Sequence, residues 1–117
     1  MIFCMEIIKE FYGGASLDGN DDDYISRKGK TELRYYKIIS DVTGNKSRYR
    51  RYGIEVIKKC VNDNIVSEEK KEIFNCIEKE EVADRVLELL KVNKVSPINV
   101  LDILEDMSKK KSELLIR

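Results

Sequence analysis

The stretch "SRYRRYGIEVIKKCV", residues 47 to 61, has turn chemistry on both sides, and this constrains the fold more than any other feature of the chain. Tyr52, Ile54, Val56 and Cys60 recur at even spacing, which in an extended strand puts them on one face. Upstream, "TGNK" supplies Gly44 and Asn45, both tolerant of positive φ, and before it "TELRYYKIISDV" is a second β-prone run. Together they predict an antiparallel hairpin. Downstream, "NDN" is another turn. The segment after it, "IVSEEKKEIFNCIEKEE", is read as a third hairpin strand through Ile77, because a turn so soon after a strand returns the chain beside it. Ser67 could also cap a helix here, and Ile73, Phe74, Cys76 and Ile77 fit either period.

The flanks complete the organisation. "MEIIKEFYGG" reads as a short strand whose apolar part is Ile7, Phe11 and Tyr12, and "ASLDGNDDDYISRKGK" as an exposed, mobile, acidic loop. In "EEVADRVLELLKVN", Val82, Val86, Leu89 and Leu90 follow helical spacing, with acids at the start and Lys91 near the end, both favourable to the helix dipole. "NKVSPINVLDILEDMSKKK" places Ser96 as N-cap and Pro97 at the first helical position, with Val100, Leu101, Leu104 and Met107 as the apolar stripe. The expected fold is therefore α+β: an antiparallel sheet of three to four strands with two C-terminal helices packed on one face. A chain of 117 residues fits one domain, divided into 1–31 (strand and loop), 32–77 (antiparallel strands) and 78–117 (helical pair and basic tail).

Charge and residue inventory exclude several functions. The chain holds 22 basic and 22 acidic residues, a net charge of zero, where a protein held chiefly by phosphates shows a basic excess. Three separated cysteines, Cys4, Cys60 and Cys76, with no C-x-x-C spacing, read as reduced thiols, the latter two as small core residues. The N-terminal "MIFCMEII" is too short for a signal-peptide core, Met5 offers an alternative start, and no apolar run approaches a membrane span, so the expectation is a cytoplasmic protein with no membrane partner. With no histidine there is no imidazole ligand and no Ser-His-Asp or Cys-His pair. "DGNDDDY" starts with the rhythm of a calcium loop at Asp18, Asn20 and Asp22. It fails at Tyr24, where the sharp turn needs glycine, and at Gly29, where the bidentate glutamate belongs. No catalytic residue, metal site or cofactor is expected.

Two surfaces remain as candidates. Arg48, Tyr49, Arg50, Arg51, Tyr52, Lys58 and Lys59 interleave cations with aromatic rings, the combination that phosphate contact plus base stacking needs. Arg48, Arg50 and Tyr52 would face one way and Tyr49 and Arg51 the other. The plainer account has more weight: tyrosine is a good strand former, arginine stems lie over apolar edges, and edge charges block aggregation. The second candidate is the tail, where Met107, Leu114, Leu115 and Ile116 extend the last helix's stripe beyond what a small sheet can cover, leaving either a protein interface or a segment folded back on its own sheet.

"RYGIEVIKK", a second strand, and then "EEVADRVLELLKVNKVSPINVLDILEDM" resemble a family of small proteins from spore-forming anaerobic bacteria, a domain of unknown function. The matching positions are Tyr52, Gly53, Ile54, Glu55, Asn93, Val95, Pro97, Asp102, Glu105 and Asp106, over roughly residues 33–107. The resemblance implies a fold and a bacterial cytoplasm, and no activity. The functional expectation is a non-enzymatic regulatory or adaptor protein working through protein contacts, with a homodimer among its forms. The alternative is a small accessory DNA-binding factor that modulates a site-specific recombinase or transcription.

Overall fold

The computed structural model describes residues 4–16, 30–44, 48–62 and 64–110. They form β1 (Cys4–Ser16), β2 (Lys30–Thr43), β3 (Arg48–Asn62), β4 (Ile65–Ile77), α1 (Glu80–Val92) and α2 (Pro97–Lys110). The strands lie in the order β1-β2-β3-β4 with every neighbouring pair antiparallel, so the sheet is a simple meander. The α+β architecture expected from the sequence is the one observed. The segment open to two readings is a strand, and Asn62 pairs with Ile65 across a tight turn in which Asn64 takes φ 68°. The acidic loop and the calcium-like Asp18, Asn20 and Asp22 lie outside the described residues.

Both helices pack on one face of the sheet, α1 chiefly over β1, β2 and β3 and α2 over β3 and β4. Between the layers lie Leu33, Tyr35 and Ile39 of β2, Tyr52, Ile54 and Val56 of β3, Cys76 and Ile77 of β4, and Val82, Val86, Leu90, Val100 and Leu104 of the helices. The Tyr35 hydroxyl donates to the Val95 carbonyl at 2.9 Å, tying the sheet to the link between the helices. Burial pushes that hydroxyl's pKa up to about 12.

Several details differ from the sequence reading. β1 is 13 residues long rather than short. Its two glycines do not end it, because a register shift between Phe11 and Gly13 lets Gly14, Ala15 and Ser16 go on pairing with β2. In α1 the buried line is Val82, Ala83, Val86, Leu87 and Leu90, while Leu89, expected inside, is exposed. Burial of that apolar line sets the roll, and polar contacts accompany it. Lys37 of β2 donates to Glu80 and Asp84, both at 2.8 Å, and Tyr12 of β1 donates to Glu88 at 2.7 Å. These contacts tie α1 to β1 and β2. Cys60, expected in the core with Cys76, is only partly buried near the end of β3, where the Thr31 hydroxyl lies 3.5 Å from its sulfur.

Candidate functional site: the open face of the sheet

The helices cover one face of the sheet, and the pleat sends alternate side chains to the other. On that open face β1 contributes Met5, Ile7, Lys9 and Phe11, and β2 sets Val42, Ser40, Ile38 and Tyr36 directly opposite them. β3 carries on the same rows with Tyr49, Arg51, Gly53 and Glu55. Met5, Ile7, Phe11 and Tyr49 are each close to half exposed or more. Phe74, also exposed, sits at an irregularity in β4. Clustered apolar exposure of this kind on one face differs from the scattered apolar residues normal on any surface.

Gly53 explains the irregularity. Tyr52 pairs with Ile77 and Ile54 with Ile73, so β4 bulges opposite the glycine. A Cβ on Gly53 would stand 2.1 Å from the Ile73 carbonyl oxygen and 3.0 Å from the Phe74 Cα. Only a residue without a side chain lets the β4 backbone come this close.

One ion cluster crosses the face. The Lys9 ammonium donates to Glu55 at 3.1 Å and also to Glu72, so a side chain from β1 reaches acids on β3 and β4. Its stem has to cross β2 to do so, which roofs Ile38, fully buried although no helix covers that side. The hydrogen bonds that Lys9 donates to Glu72 and Glu55 raise the Lys9 pKa, and the one accepted by Glu72 lowers that of Glu72. Nearby, the buried Ser40 hydroxyl has no hydrogen-bond partner. Phe11 and Tyr36 meet edge to face, ring centroids 5.5 Å apart. Beyond Phe11, at the β1–β2 end, a shallow hollow of roughly 370 Å³ is lined by Phe11, Gly14, Ala15, Ser16, Glu32, Leu33 and Arg34.

The sequence-predicted cationic set is divided by the same pleat. Arg48, Arg50, Tyr52 and Lys58 lie on the helix side, and Tyr49, Arg51 and Lys59 on the open side. Tyr52 is a core residue, 8% exposed, and so cannot stack on a base. Arg48 and Arg50 both meet Asp41, at 3.1 and 3.6 Å, and the hydrogen bond from Arg48 holds that carboxyl below the usual range. Arg51 pairs with Glu78 at 3.2 Å and Lys58 with Glu69 at 3.9 Å. Lys59 stands in register between Glu32 and Glu68. Of the tail candidates, Met107 is partly buried and packs on the core, so it is not a free interface residue. Leu114, Leu115 and Ile116 lie outside the described residues. The open-face residues Met5, Ile7, Phe11 and Phe74 were not singled out from the sequence as a surface. The signal that could have found them is the apolar content of both phases of β1, Ile8 in one and Met5, Ile7 and Phe11 in the other.

Residues 21–110 match the model of a family described as "Family of unknown function (DUF6514)". The chain belongs to this family. The match spans β2 to α2, so the DUF6514 unit includes the β2–β4 part of the open face and both helices, while β1 lies before it. No curated protein and no solved structure matches the chain. Among the described residues of this DUF6514 member, no three His, Cys, Asp or Glu side chains are grouped to hold a metal ion, and no helix is long and apolar enough to cross a membrane.

Proposed function

We propose that this DUF6514 protein is a non-enzymatic regulatory or adaptor protein of the bacterial cytoplasm that works by protein–protein contact through the open face of its sheet. The observation that carries this reading is the exposed group of Met5, Ile7, Phe11 and Tyr49 on the face of the sheet opposite both helices, whereas the helix side is covered at its middle and leaves Ile8 and Ile65 exposed toward its edges. Apolar area of that kind gains free energy when it leaves water, on the order of 25 cal/mol per Å². Aromatic rings and methionine are also the residue types enriched at protein interfaces. Glu55, the buried carboxylate on this face, is engaged by Lys9 and so is not held ready for proton transfer.

The nucleic-acid reading has less support. Aromatic rings on an open sheet could stack bases, but Lys9, Arg51 and Lys58 each have an acidic partner and Arg48 and Arg50 share Asp41, which reduces the positive charge offered to phosphate. A photo-crosslinking amino acid placed at position 11, and separately at position 98 on α2, tests the proposal in host cells. Adducts to protein, whether another species or a second copy of the chain, from position 11 and none from position 98 are expected. Adducts to nucleic acid, or no macromolecular adduct from position 11, would refute it.

A further inference from the structure

Building on the reading of this face as a protein-contact surface, we infer that its occupant is the same face of a second copy of the chain, the two sheets stacking into an α/β/β/α sandwich. The fold itself points this way. A sheet is stable when each apolar face meets another layer. Here both helices lie on one side, and among the described residues no element covers Met5, Ile7, Phe11 or Tyr49. A second sheet about 10 Å away is the common layer that fits an open, four-stranded antiparallel face.

The available area suits this occupant. Strands spaced about 4.8 Å apart make the face roughly 19 Å wide, and a rise of about 3.4 Å per residue makes it roughly 45 Å long. The product, on the order of 850 Å², is close to the roughly 800 Å² that each partner gives to an interface of standard size. The rows from Met5–Val42–Tyr49 to Phe11–Tyr36 would form its more apolar half, crossed by the Lys9–Glu55–Glu72 cluster, and the rows holding Arg34, Glu32, Lys59, Glu68 and Lys70 its polar half.

Charge also favours a copy over a polyanion. The chain carries no net charge, so two copies meet without long-range repulsion. On the face itself Lys9 pairs with Glu55 and Glu72, a cluster with one carboxylate in excess, and Arg51 pairs with Glu78. The remaining charges alternate in sign across the polar half, with Glu32 opposite Lys59 and Lys59 opposite Glu68, so identical surfaces can present unlike charges to one another about a two-fold axis.

Light scattering and sedimentation velocity on the full chain test the inference from about 1 to 200 µM. The wild type should reach twice the chain mass of 13.6 kDa. Phe11→Asp and Tyr49→Asp, each changing an exposed ring, should keep the wild-type circular dichroism spectrum and weaken association at least tenfold. Ile98→Asp, at the most exposed large apolar residue among those described and on the helix layer, should leave the mass doubled. A wild-type footprint needs no variant: peroxide oxidation of Met5, read by peptide mapping, should slow several-fold at 200 µM relative to 1 µM. A single-chain mass at 200 µM, a doubled mass in both face variants, or equal Met5 oxidation at the two concentrations overturns the inference. The two readings fail separately. Single-chain mass with adducts from position 11 to a different protein overturns the second copy and keeps the adaptor. Doubled mass with adducts only between copies supports both, the protein-contact face then serving the second copy. Single-stranded oligonucleotide binding that needs Phe11 and falls steeply with salt overturns both.

Discussion

At the scale of single residues, Gly53 decides more than its size suggests. It stands within "YGIEV", where an alternating strand would accept almost any side chain, yet the β4 backbone passes so close that a methyl group would collide with the Ile73 carbonyl oxygen at 2.1 Å. Backbone atoms held by strand pairing cannot step aside as a flexible side chain would. Gly53→Ala is therefore expected to destabilise the fold by about 1–3 kcal/mol, the usual cost of forcing added volume into a packed site. A lower urea midpoint at unchanged slope would register this. A midpoint equal to the wild type would show that the bulge is not held against β3 as described. The same bulge places Phe74 at the open face and Cys76 in the core, so one glycine links the packing of the interior to the shape of the exposed surface.

At the scale of elements, the α1–α2 connection shows what local chemistry can specify. Lys94 has φ 52°, its N–H donates to the Lys91 carbonyl, and the Val95 N–H donates to Leu90, the pair of bonds that closes a helix through a left-handed residue. Glycine takes that conformation without the Cβ penalty. Lys94→Gly should raise stability by about 0.5–1 kcal/mol, seen as a higher urea midpoint, provided the bonds to Leu90 and Lys91 persist. An unchanged or lower midpoint would contradict that backbone assignment. Elements written in local chemistry were legible in the sequence: the β3 alternation, the turn before Ile65, and Ser96 followed by Pro97 at the start of α2. What was not legible depended on partners far along the chain. The roll of α1 that exposes Leu89 follows from which residues meet the sheet, and it is accompanied by Lys37 reaching Asp84 and Glu80 and Tyr12 reaching Glu88, contacts with no local trace. The full length of β1 was hidden because Gly13 and Gly14 look like a stop, and only β2 alongside shows them as a register shift.

At the scale of the whole molecule, the candidate site was the least legible part, because a residue such as Phe11 reads as core until the layers are counted. One phase of β2 meets the helices and the other meets none, and the same composition would serve a sheet covered on both sides. The charge network, in contrast, gives the molecule a pH profile whose direction can be worked out. Asp41 and Glu72 have pKa values lowered by Arg48 and Lys9, so their contribution is present at neutral pH and is lost as pH falls through the folded values. On the alkaline side every resolved shift is upward. Burial moves the Cys76 thiol from its ordinary 9.0 to about 11 and the Tyr35 hydroxyl from 10.0 to about 12. For Lys37 burial acts downward, but the hydrogen bonds to Asp84 and Glu80 outweigh it and the net shift is also upward. Groups raised in this way stabilise the fold fully below their unfolded values and lose that contribution as pH climbs through the folded ones. Urea unfolding should therefore show a plateau from about pH 5 to 8.5, then a fall on the order of 2–3 kcal/mol by pH 10.5. Cys76→Ala should flatten the first part of that fall, between about pH 9 and 10, where the thiol titrates in the unfolded chain but not in the folded one. A limb just as steep without the thiol would mean that Cys76 is not sealed between the sheet and the helices, and that the covered face is looser than its packing indicates.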